Sequence, residues 1–102
     1  MAIKKQYLKY KAMCNVTFKL TKNQANDADL VRLVGDFNQW DLSSAPMKKL
    51  KSGDFTATIT LAKDSMYQFR YLLDDKTWEN DWDADAYIPS IVSYADNSVV
   101  NI

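Results

Sequence analysis

Between Phe55 and Leu61 the chain reads F-T-A-T-I-T-L, with an apolar residue at every second position and a threonine at each position between. A repeat of two puts Phe55, Ala57, Ile59 and Leu61 on one face and the threonines on the other, which an extended strand does and a helix does not. Threonines on the wet face suit an antiparallel sheet with one side in water. Met13 to Leu20 repeats the pattern, with Cys14, Val16, Phe18 and Leu20 inward and Asn15, Thr17 and Lys19 outward. In Met66 to Leu73, Tyr67, Phe69, Tyr71 and Leu73 share one face, while Gln68, Arg70 and Leu72 share the other. No long amphipathic helical period competes with these three segments.

Shorter runs fill in the rest. Leu30 to Val34 is a strand closed by Gly35, and Met47 to Leu50 forms a short one after Pro46, followed by a turn at Lys51-Ser52-Gly53-Asp54. Asp74-Asp75-Lys76 turns the chain back into Thr77-Trp78-Glu79. Tyr87 to Val92 carries Pro89, and Ser98 to Ile102 is a terminal strand. About seven short antiparallel strands with frequent turns predict an all-β, immunoglobulin-like sandwich. A chain of 102 residues makes one domain, and a domain of that size buries roughly 60–70% of its unfolded surface. Residues 1–12, with Lys4, Lys5, Lys9 and Lys11 around Tyr7, Leu8 and Tyr10, read as a basic N-terminal arm packed on the domain, and residues 13–102 as the sandwich.

Composition narrows the function. There is no histidine, which excludes histidine triads, histidine bases and histidine-bound metals. The single cysteine, Cys14, forms no internal disulfide and faces the core. Thirteen basic and thirteen acidic residues give zero net charge, which argues against a nucleic-acid partner. No stretch reaches the ~18 apolar residues of a membrane span, and the N-terminus lacks the apolar segment of a signal peptide. A cytoplasmic protein is therefore expected, and the Asn15-Val16-Thr17 sequon is not expected to carry sugar.

Two clusters remain. Asp74, Asp75, Glu79, Asp81, Asp83 and Asp85 read as a solvated acidic loop, with pairing to the basic arm left open. Asp81-x-Asp83-x-Asp85 resembles the start of a calcium loop, but Ala86 stands at the glycine position and Val92 at the final glutamate, so no metal is expected. Glycoside hydrolysis needs an acid and a base facing each other across a cleft, and acids on one loop do not supply that. The second cluster is aromatic: Trp40 in a turn, Trp78 beside a hairpin and Trp82 in a polar loop. Indoles offer large, rigid contact area to a ligand, and Arg70 on the outward strand face carries several donors. On these residues alone, a tryptophan-lined ligand surface and tryptophans that merely cover the sandwich edge are equally good readings.

The segments G-D-F-N-Q-W, Y-Q-F-R-Y-L-L-D-D-K-T-W and N-S-V-V, in this order over about Cys14 to Ile102, resemble a family 48 carbohydrate-binding module. That family includes the early-set domain at the front of isoamylases and glycogen branching enzymes, and the glycogen-binding domain of the AMP-activated protein kinase β subunit. The chain looks most like the small stand-alone bacterial type. The resemblance implies non-catalytic binding of an α-1,4-glucan (glycogen, starch or maltooligosaccharide), with no cofactor. Trp40 and Trp78 would stack on glucose, while Arg70, where kinase modules have lysine, and Asn97 would hydrogen-bond. The turn before Trp78 is about one residue longer than in the kinase type. A leucine that those modules thrust into the oligosaccharide has no clean counterpart, with Ser93 or Tyr94 near its place. Catalysis in larger members belongs to a separate barrel domain. A glycogen-metabolising enzyme is the protein partner the resemblance implies, with the chain a monomer or weak homodimer. The alternative function is a protein-interaction or dimerisation module on the same sandwich, with Trp82 or Tyr94 in its contact patch.

Overall fold

The computed structural model describes residues 2–9, 11–90 and 96–102. Among these residues the chain forms nine strands: β1 (Ala2–Tyr7), β2 (Met13–Leu20), β3 (Val31–Gly35), β4 (Lys48–Lys49), β5 (Phe55–Ala62), β6 (Met66–Leu73), β7 (Thr77–Glu79), β8 (Ala86–Pro89) and β9 (Asp96–Asn101). They make two antiparallel sheets, one ordered β1-β2-β5-β4 and the other β3-β6-β9-β8, with β7 also paired to β6. The sheets stack as a sandwich. No helix among the described residues is long and apolar enough to cross a membrane.

The alternating segments supply the core. Cys14, Val16, Phe18 and Leu20 from β2 and Phe55 and Leu61 from β5 meet Val31 and Leu33 from β3, Phe69, Tyr71 and Leu73 from β6, and Val100 from β9. An aromatic stack runs through the middle: Phe18 meets Phe69 edge-on with ring centres 5.1 Å apart, and Phe69 meets Tyr71 at 5.7 Å. Such contacts add to the burial of large apolar area. Cys14 is buried here, as its place in the alternation implies.

Nine strands replace the expected seven or so, and the clearest addition is β1. The stretch read as an arm pairs along β2 from Ala2 opposite Lys19 to Tyr7 opposite Cys14. Lysines on this edge strand discourage further strand pairing. Lys5 also closes that side of the sandwich, because its Nζ lies 2.7 Å from Asp85 Oδ2, just before β8 of the other sheet.

The acidic stretch departs from expectation as well. It is not a uniformly solvated loop, because Asp81 is fully buried. The Tyr71 hydroxyl donates to its Oδ2 (2.7 Å) and the Asp83 N–H to its Oδ1 (2.8 Å), while its own N–H donates to Ser98 Oγ (2.9 Å). A hydroxyl at the core edge needs an acceptor, and the loop folds inward to provide one. Asp74 is also engaged, accepting from the N–H groups of Asp29 and Leu30 at 2.9 Å each, and Asp75 pairs with Arg32.

Burial raises the Asp81 pKa above 3.8, against the lowering effect of its hydrogen bonds from Tyr71 and Asp83. Burial likewise holds the Tyr71 hydroxyl well above the usual phenol range, helped by the charge of Asp81. A carboxyl with a raised folded-state pKa binds its proton more tightly when folded. Its contribution to stability is therefore fullest at low pH and declines as pH rises through the folded value. Asp85 has the opposite sign: burial pushes its pKa up, but the Lys5 and Asn101 hydrogen bonds and the Lys5 charge bring it below 3.8. Its stabilisation is lost as pH falls. The stability gap between Asp81→Asn and the wild type is expected to move in favour of the variant from pH 4 to pH 7, read from urea midpoints. A gap that stays constant would show that Asp81 does not titrate in this way.

Candidate functional site

The site begins where β3 ends. Gly35 is extended (φ −172°), so its role is to provide space. A Cβ there would lie 2.5 Å from the Gln68 carbonyl oxygen and 2.7 Å from Phe69 Cβ on the neighbouring strand. Beyond it a 3-10 turn spans Asp36–Asn38. The Asn38 side chain replaces strand partners by accepting from Gly35 N–H (3.0 Å) and donating to the Leu33 carbonyl (2.9 Å). Phe37 turns inward to Phe18, with ring centres 5.9 Å apart. Gln39 and Trp40 both adopt left-handed backbone, each at φ 56°, which swings the indole back over the motif.

Trp40 is anchored at both ends of the residue. Its N–H donates to the Gly35 carbonyl (2.9 Å), and its indole Nε1–H donates to Asp36 Oδ1 (2.8 Å). The other Asp36 oxygen accepts from the Gln68 N–H at 2.8 Å, just past the last β3 pairing. The indole has one polar group, and Asp36 occupies it. What Trp40 offers a ligand is its ring face.

Strand register places the remaining residues. Gln68, Arg70 and Leu72 alternate with the core residues of β6 and so occupy the outer face of that sheet. Trp78 lies opposite Leu72 and shares that face, with 40% of its surface exposed. Asn97 pairs with Ile88 and directly precedes Ser98, whose partner Phe69 points into the core, so Asn97 is also on the outer side. From Gln68 to Leu72 the strand advances about 13 Å, which places the Trp40 anchor and Trp78 towards opposite ends of the Arg70 position.

Arg70, Trp78 and Asn97 thus share one face, and Trp40 is tied to the Gln68 position of β6 through Asp36, but the four are not equally accessible. Arg70 and Asn97 are only 7% and 8% exposed. The Arg70 Nε–H donates to Asn97 Oδ1 at 2.6 Å, and Asn97 Nδ2 donates to Gln68 Oε1 at 3.0 Å. Arg70 is therefore not the open donor that its strand face suggested. Val34, Leu72 and Val99 are also buried on this face, outside the main core. Sequence reasoning missed Asp36 and Gln68. The available signal was parity, because Gln68 sits two residues before Arg70 in an aromatic strand.

Ser93 and Tyr94, the candidates for the leucine position, lie outside the described residues. Trp82 is more than half exposed. A separate groove of about 530 Å³ opens between the sheet edges, lined among others by Leu33, Met47, Ala57 and Ile59. None of the four candidate residues lines it.

Residues 9–88 match the model of carbohydrate-binding module 48, the isoamylase N-terminal domain. The matched span contains Trp40, Arg70 and Trp78 and ends before Asn97. A search of curated proteins found no match. With the family model covering most of a chain that folds as a two-sheet antiparallel sandwich, the protein belongs to the carbohydrate-binding module 48 family.

Proposed function

We propose that the chain is a non-catalytic binding domain for α-1,4-linked glucan, such as glycogen, starch or a maltooligosaccharide. The observation that carries this reading is that Arg70, Trp78 and Asn97 share the outer face of one sheet, with Trp40 tied to the same β6 strand through Asp36 and the Gln68 N–H. Trp40 and Trp78 stack on the apolar faces of glucose rings, and Arg70 and Asn97 form the polar side of the site. Both oxygens of Asp36 are held by N–H groups and Asp81 is buried under Tyr71, so neither stands as an open acid or base beside the site. That supports binding without hydrolysis, which requires an unengaged acid and base flanking the bond. Electrophoresis in a native gel containing glycogen tests the reading. The chain is expected to be retarded relative to a plain gel and to release no reducing sugar; equal mobility in both gels would refute it.

A further inference from the structure

Two hydrogen-bonded paths meet at one residue, Gln68. Its backbone N–H holds Asp36, which holds the Trp40 indole, and its side-chain oxygen accepts from Asn97, which is held in turn by Arg70. The direction of this chain follows from its first member. A guanidinium only donates, so the atom of Asn97 that faces Arg70 Nε is the carboxamide oxygen. The Asn97 amide nitrogen then faces Gln68, and the group that meets it is the Gln68 oxygen. The Gln68 Nε2 group is left as the end of the chain. Gln68 is only half-buried, in contrast to Arg70 and Asn97.

We infer that Gln68 is a further ligand-binding residue, whose Nε2–H₂ donates to a glucose hydroxyl oxygen between the two indole platforms. This rests on the glucan reading of the same face. Arg70 and Asn97 act on the sugar chiefly through Gln68: they fix which end of its carboxamide points outward, so a donor is presented where an unheld glutamine would offer either end. A fixed donor suits a neutral hydroxyl oxygen. Successive hydrogen bonds in one direction also polarise the last donor. Because the Gln68 backbone carries the Asp36–Trp40 anchor as well, the stacking and polar halves of the site are built on one strand position.

Gln68→Glu separates the two jobs of this side chain. A glutamate there still accepts from Asn97 but has no proton to donate to a sugar. Calorimetric titration with maltoheptaose is expected to show affinity reduced about three- to tenfold, the effect of one neutral hydrogen bond. The Trp40 Nε1–H resonance should stay where it is in the wild type. A second measurement needs no variant: the Gln68 side-chain amide protons of the wild type should shift as maltoheptaose is added. If Gln68→Glu binds like the wild type, or those protons do not move, while Trp40→Ala loses binding, the Gln68 role is overturned and the glucan site stands. If Trp40→Ala binds like the wild type, the glucan reading fails, and the role of Gln68 with it.

Discussion

Trp40→Ala is expected to lower affinity for maltoheptaose at least thirtyfold, about 2 kcal/mol, with little change in thermal unfolding. The indole is held in place before any ligand arrives. Its backbone N–H is bound to Gly35, its Nε1–H to Asp36, and Asp36 to the β6 backbone. A pre-placed ring loses little conformational freedom on binding, so most of its contact energy reaches the complex. Its removal takes that contact away and leaves the Asp36 carboxylate exposed to water, a small cost to the fold. Trp78→Ala should weaken binding less, because that ring stands on a three-residue strand beyond a turn and has no comparable hydrogen-bonded anchor among the described residues. Calorimetry of both variants checks the order. Equal affinities for Trp40→Ala and the wild type would remove the indole from the site.

Gly35→Ala is expected to have the largest effect on stability among changes near the site. The added methyl would sit 2.5 Å from a backbone oxygen and 2.7 Å from the Cβ of Phe69, and neither can swing aside. β3 must move away from β6, at a cost of about 1–3 kcal/mol, or roughly 5–20 °C in melting temperature for a domain of this size. The displacement falls on the residue next to Asp36, so glucan affinity should drop along with stability. Gly53 makes a useful contrast, since it adopts φ +91° and the atoms nearest a Cβ there belong to the Lys22 side chain rather than to backbone. Gly53→Ala is strained through its backbone and should leave glucan affinity unchanged. A melting temperature for Gly35→Ala equal to that of the wild type would show that the β3–β6 spacing gives way easily.

Much of the sandwich is legible in β2, β5 and β6, because each buries one face and alternation follows directly. β1 is not, because Lys4-Lys5 interrupts its alternation, and the reason for Lys5 lies 80 residues away at Asp85. Asp81 looks like any member of an acidic run, and nothing local reveals that it completes the hydroxyl of Tyr71. For the site, parity places Arg70 on the outer face, and the family resemblance brings in Trp40, Trp78 and Asn97. Parity does not tell an open face from a covered one, so the burial of Arg70 was hidden. Gln68 shared that face from the start, but its importance comes from contacts with Asp36 and Asn97, 32 and 29 residues away.

A titration of ¹⁵N-labelled chain with maltoheptaose, followed residue by residue by NMR, reads out where on the sandwich the glucan sits. Shifts are expected to concentrate at the Trp40 and Trp78 indoles and at Gln68, Arg70 and Asn97, while Met47, Thr58 and Ile59 in the groove between the sheet edges stay still. Shifts gathered at those groove residues, or none at any ligand concentration, would contradict it.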